Sequence, residues 1–324
     1  MPAEPEHAGH EHDEKADGSQ AGHAHAIKEE ADTRRLSIAL GLIVSFMVGE
    51  VVAGILGHSL ALLSDAAHML TDAAALVMSL VVIHLVRRPA RGNLTFGLRR
   101  TEILSAQANG ATLLVLAFVI IYEGIRRLVT PPPAEGKLIL IVALAGIAVN
   151  LVATWQLAKA NRESMNIEGS FQHILTDLAA FIFTAIAGVV IVTTGNTRAD
   201  GIASLIIAAI MIRAAYGLLR DSGRVLLEAA PEGMDVKEIG KALAAHVHVE
   251  NIHDLHVWSV GSDLPALSAH VLVHPGDDCH AIRRELEQLL GEQFSITHTT
   301  LQVDHSGADK LLTIGGIQAL SDDS

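Results

Sequence analysis

The sequence predicts a mainly α membrane protein: six transmembrane helices followed by a cytoplasmic α+β domain of ferredoxin-like, αββαβ order. Three observations predict it. Half of the 324 residues are hydrophobic, yet only 18% are charged; a soluble domain carries about a quarter. The apolar residues gather in long runs between residues 36 and 218, which is the distribution of a membrane protein with soluble ends. Beyond residue 220 the runs give way to short helical and alternating segments.

A spanning helix needs about 20 mainly apolar residues. Six stretches qualify, at roughly 36–57, 60–86, 101–128, 137–158, 168–194 and 200–218. Between them stand Gly57-His58-Ser59, the arginine-rich segment 87–100, a proline cluster ending at Gly136, residues 159–167, and Gly195 to Asp200. The C-terminal part reads as a helix at 234–248, strands at 251–260 and 264–273, a helix at 277–291 and a strand at 295–303. The expected domains are a disordered His-rich tail at 1–33, the membrane domain at 34–220, the α+β domain at 221–305 and a flexible tail at 306–324. His7, His10, His12, His23 and His25 in the first tail make it a candidate metal-binding tract or a plain solvated tail.

Charge sets orientation and excludes classes. Lys28, Arg34 and Arg35, the arginines at 87, 88, 91, 99 and 100, Lys159, Arg162, Arg220 and Arg224 outnumber the basic residues of the other side. The positive-inside bias therefore predicts both termini in the cytoplasm. The net charge of −13 argues against nucleic acid as a partner. Cys279 is the only cysteine, so no internal disulfide forms. No cleavable signal peptide is evident at the N-terminus. Low aromatic content and short loops point to a bacterial inner (plasma) membrane.

Ionisable residues inside spanning helices are costly and need a reason. The second stretch contains His68 and Asp72, and the fifth contains His173 and Asp177; each is His-x-x-x-Asp. An i, i+4 pair shares one helix face. The two helices run antiparallel, and at about 1.5 Å per residue both pairs approach the midplane of a core about 30 Å thick. Two imidazoles and two carboxylates in tetrahedral array suit Zn²⁺, with Co²⁺ the nearest competitor. Asp65 shares their face, as a hydrogen-bond partner of His68, as an entry-path carboxylate, or as a cap on the helix against the short preceding loop. Gln107, Asn109 and Asn150 read as interhelical hydrogen-bond partners.

With these motifs in view, the chain resembles the cation diffusion facilitator family, in its zinc/cobalt-type branch, over about residues 33–305. The resemblance rests on the run from Ser59 to Asp72, on Phe96-Gly97-Leu98-Arg99-Arg100-Thr101-Glu102-Ile103-Leu104, on His253-Asp254-Leu255-His256-Val257-Trp258-Ser259, and on the second His-x-x-x-Asp. It implies a metal²⁺/proton antiporter working as a homodimer in the lipid bilayer by alternating access. His68, Asp72, His173 and Asp177 match the family's transport site, and His68 implies zinc over cadmium. His253, His270, His298 and Asp304 match places where the cytoplasmic domain binds metal. Strand alternation sets His256 on the face opposite His253. Arg100 and Glu228 match an interdomain ion pair. The stretch Arg91–Leu98 lacks the ligands of a loop site that some members carry.

Mechanistically, His and Asp hold metal only when deprotonated, so protons are the natural counter-substrate and Zn²⁺ the cargo and a regulatory ion. Two other classes remain open on the sequence. One is an intramembrane zinc hydrolase, which needs an open coordination position; the other is a metal sensor that does not transport.

Overall fold

The computed structural model describes residues 17–56, 60–131, 136–262 and 264–306, with side chains described at all of these except 17–29, 54, 56, 60–65, 67 and 68. Six long helices come first: α1 (Asp17–Leu56), α2 (Leu60–Val86), α3 (Thr101–Val129), α4 (Gly136–Ala158), α5 (Met165–Thr194) and α6 (Arg198–Leu226). Each contains a segment long and apolar enough to cross a membrane. Many of their large apolar side chains face outward, among them Val115 (62% exposed) and Ile141 (66%), as helices in lipid require. Gly195, at φ 71, ends α5 in the left-handed conformation that glycine adopts freely.

Where α1 begins differs from the sequence reading. Residues 17–33, expected to be disordered, form the start of α1. Ala21, Ala24, Ala26, Glu29, Glu30 and Ala31 are strong helix formers, and the helix propagates outward from its apolar half. The expectations for residues 1–16 and 307–324 lie outside the described residues.

Small residues let the helices meet closely. A Cβ on Gly146 of α4 would stand 2.4 Å from the Phe181 ring of α5. Gly201 of α6 lies against the carbonyl of Gly124 of α3, where a Cβ would come within 2.9 Å. A core of Leu36, Ile43, Met69, Leu76, Leu157 and Ile174 joins α1, α2, α4 and α5.

The C-terminal domain runs α7 (Val236–Ala244), β1 (Val249–Ser259), β2 (Pro265–Val273), α8 (Cys279–Phe294) and β3 (His298–His305), the αββαβ order read from the sequence. Strand order is β1-β2-β3, antiparallel then parallel. Asp235 caps α7 by accepting from the Lys237 N–H, and Asp278 caps α8 by accepting from the His280 and Ala281 N–H groups. Ile239, Leu243, Ile282, Leu286 and Leu290 pack on Leu267, Val271 and Val273 of the sheet's inner face.

The sheet contains a bulge that changes which side chains share a face. His253 stands opposite His270, yet His256 stands opposite Ser268, so three residues of β1 answer two of β2. Asp254, at φ 50, is the irregular residue. The extra residue reverses the alternation, and His256 joins His253 on the outer face. The parity expected from uninterrupted alternation is thereby corrected.

Candidate metal centre

The face of α5 that looks into the bundle carries Asn166, Ser170, His173 and Asp177 at helical spacing. Asp72 meets it from α2. His173 is 2% exposed and Asp72 4%, and His173 Nε2 lies 2.8 Å from Asp72 Oδ1. With Asp72 ionised, the ring N–H is the donor in this contact. One ligand atom each from Asp72, His173 and Asp177 falls within 4.8 Å of the others. The opposite ring nitrogen, His173 Nδ1, is buried with no hydrogen-bond partner among the described residues. Two carboxylates and an imidazole converging in a buried space form the donor set of a small divalent cation. Asp177, one turn outward from His173, remains partly exposed.

His68 occupies α2 one turn before Asp72, and Asp65 lies one turn earlier; their side chains lie outside the described residues. Glu50 on α1 is a buried carboxylate, 4% exposed, that the sequence reading passed over. A single acid near the end of an apolar run looks like an interfacial residue until packing is known.

A second group of three lies on the outer face of the C-terminal sheet. His253, Asp254 and His270 bring ligand atoms within 4.8 Å of one another, and the two imidazoles face each other with ring centroids 5.2 Å apart. Asp254 enters the group because the bulge turns it aside from its alternating position. Neither His298 nor Asp304 joins this group. The His298 ring packs edge-on to Phe96 at 5.6 Å, and Asp304 accepts from the Gln302 amide at 2.8 Å. The fit for a divalent ion is thus carried by His253, Asp254 and His270.

Contacts tie this domain to the membrane helices. Arg100 Nη2 donates to Glu228 Oε1 at 3.2 Å, an exposed pair. The Ser262 hydroxyl donates to Glu102 Oε2 at 2.6 Å and accepts from the Met165 N–H at 3.1 Å. The turn between β1 and β2 thereby touches the first residues of both α3 and α5. At the corner before α5, Arg162 makes two hydrogen bonds to Glu168, at 2.7 and 3.0 Å, which hold its guanidinium pKa above the usual value despite partial burial.

Comparison with known proteins bears on this arrangement. Residues 36–227 match the cation efflux transmembrane domain, and residues 231–306 match the cytoplasmic domain of cation efflux proteins. The zinc transporter ZitB of Shigella flexneri is 38% identical over 87% of this chain and 92% of its own length. The cadmium, cobalt and zinc/H(+)-K(+) antiporter of Bacillus subtilis (strain 168) is 36% identical over the same shares, 87% and 92%. A solved metal-bound C-terminal domain of the CzcD transporter from Cuprividus metallidurans is 33% identical over 22% of this chain and 99% of its own, with a TM-score of 0.21. Six membrane-spanning helices, the two-part organisation and these matches over most of the chain establish it as a multi-pass membrane transporter, a member of the cation efflux (cation diffusion facilitator) family.

Proposed function

We propose that the chain exports Zn²⁺ from the cytoplasm in exchange for protons, by alternating access, through a four-ligand site of His68, Asp72, His173 and Asp177. The observation that carries this reading is the convergence of buried Asp72 and His173 with partly exposed Asp177 from two helices. Nitrogen and carboxylate donors without thiolate favour zinc or cobalt over copper, magnesium or calcium. The cargoes in the relatives' names, zinc in one and cadmium, cobalt and zinc in another, agree. Membership of a transporter family sets aside both the hydrolase and the non-transporting sensor.

The hydrogen bond at the site supports the reading of proton exchange. His173 Nε2 lies 2.8 Å from Asp72 Oδ1, and with Asp72 ionised that contact keeps a proton on the ring nitrogen. Metal taking that nitrogen displaces the proton, and protonation on the far side expels the metal. Rocking of helices about the fixed site would carry one state into the other. The arginine bias and the contact of the C-terminal domain with the Arg100 end of α3 support cytoplasmic termini in an inner membrane. A homodimer is supported by the match of residues 231–306 to the family's dimerisation-type cytoplasmic domain. The group His253, Asp254 and His270 is assigned to a regulatory zinc ion.

Reconstitution into proteoliposomes tests the assignment. Asp72→Ala and Asp177→Ala are each expected to abolish zinc-driven proton movement, read by an internal pH dye alongside zinc uptake. Wild-type flux in either variant overturns the site. Equal zinc flux with no pH change in the native protein overturns the exchange. His68→Asp is expected to admit cadmium, and unchanged selectivity would remove His68 from the cargo filter.

A further inference from the structure

On the cytoplasmic side of His173 lies a polar seam where α2, α3 and α5 meet. Ser79 and Asn166 are 0% exposed, Ser170 and Asn109 1%, and Ser105 3%. Asn166 and Ser170 belong to the first two turns of α5 and share the face that carries His173 and Asp177. Ser79 lies two turns inward of Asp72 on α2, and Ser105 and Asn109 are one turn apart on α3. The bonds across it are short: Ser105 Oγ to Asn166 Oδ1 at 2.6 Å, Asn166 Nδ2 to the Ser79 carbonyl at 3.0 Å, and the Ser79 and Ser170 hydroxyls 2.6 Å apart. The Ser170 hydroxyl donates to the Asn166 carbonyl at 3.2 Å, which leaves Ser79 as donor to Ser170.

One member of the seam is unsatisfied. Neither Oδ1 nor Nδ2 of Asn109 has a hydrogen-bond partner among the described residues, although both are buried. The amide lies against Gly169, where even a Cβ would stand 3.2 Å from Nδ2. A seam that served only to glue helices together would pair this amide, as buried polar groups are nearly always paired. Asn150, by contrast, donates to the Gly146 carbonyl of its own helix. The buried seam lies between the cytoplasmic end of α5 and His173, while Asp177 on the outer side stays partly exposed.

We propose that Ser79, Ser105, Asn109, Asn166 and Ser170 form the cytoplasmic gate of the cation path and, when α2 and α5 part, a relay of neutral oxygen donors for a partly hydrated divalent cation. Hydroxyl and amide oxygens replace shed water without the tight grip of carboxylate or imidazole, so the ion passes on to Asp72 and His173. Asn109 is the donor held ready: its amide oxygen serves the ion in the open state and is buried unpaired in the closed one. This inference rests on the transport reading above.

The test uses full-length protein in proteoliposomes, oriented so that zinc enters from the face bearing the C-terminal domain. On a Cys279→Ser background, Ser79→Cys with Ser170→Cys places two thiols at a contact distance suited to a disulfide. Copper-phenanthroline oxidation is expected to cross-link them and lower zinc flux at least about tenfold, with recovery on reduction. Failure to cross-link contradicts the contact, and full flux in the cross-linked protein overturns the gate while leaving transport intact. Absence of flux in the unmodified protein would instead overturn the transport reading. Asn109→Leu provides the independent check. It is expected to raise the KM for zinc at this face about tenfold while the Kd of zinc for the detergent-solubilised protein stays unchanged. An unchanged KM, or a matching loss in Kd, rejects the relay and leaves Asn109 a packing residue.

Discussion

Asp278 shows how a single exposed carboxylate shapes the C-terminal domain. It accepts from the backbone N–H groups of Ala281 and His280, and these bonds hold its pKa below the usual carboxylate value. A depressed folded-state pKa adds stability that is present above the unfolded value and is lost as pH falls through the folded one. The first turn of α8 is therefore expected to lose amide-exchange protection between neutral pH and the acid side of the normal Asp range. Asp278→Asn keeps an acceptor but loses the charge, so its protection should change less with pH. Equal pH dependence in the two proteins would assign the effect to other carboxylates. Asp72 and His173 show the opposite residue-scale logic: buried in an apolar bundle, they are tolerable because each satisfies the other.

At the scale of elements, the bulge in β1 decides the composition of the second candidate metal group. Asp254 adopts φ 50, a conformation that Asn also tolerates. Asp254→Asn is expected to preserve the fold and weaken zinc binding at this group about tenfold, read by calorimetry in an Asp177→Ala background. Unchanged affinity would leave only the two histidines as ligands. The bulge also marks the limit of what the sequence made legible. The paired His-x-x-x-Asp motifs were readable because helix spacing is regular and charge in an apolar run is conspicuous. The αββαβ order was readable from changes of period. Asp254 was overlooked and the face of His256 misassigned because a bulge has no reliable signature in one strand; only pairing reveals the extra residue. Asn109 was read as interhelical glue because the sequence shows its polarity but not its missing partner. The helical start of α1 was missed because acidic, His-rich composition resembles a solvated tail, while its alanines favour helix once a neighbouring turn is fixed.

At the scale of the molecule, two regions of different construction meet at few points. The Arg100–Glu228 pair is exposed on both sides, so its contribution to stability is at most about 1 kcal/mol. Its value lies in orientation. Arg100→Glu and Glu228→Arg are each expected to lower zinc flux with little change in thermal stability, and the double reversal should restore it. A double variant no better than either single one would dismiss the pairing. The contact through Ser262 is complementary: it links the hairpin bearing His253 and His270 to the first residue of α5. Ligand affinities coupled through such a link change reciprocally, so zinc at either group would alter the other's affinity by the same factor.

The meeting of Gly146 with the Phe181 ring carries a mechanical consequence. At that point glycine meets ring with no second side chain between them, so a tilt imposed on one helix bears directly on the other. α5 bears His173 and Asp177, whereas α4 beyond Lys137 bears no charged residue. On the proposed site, α4 is then a stiffening spar bolted to the arm that would hold the ion. Widening the joint with a larger residue at 146 would alter the length of the stroke and leave the grip unchanged.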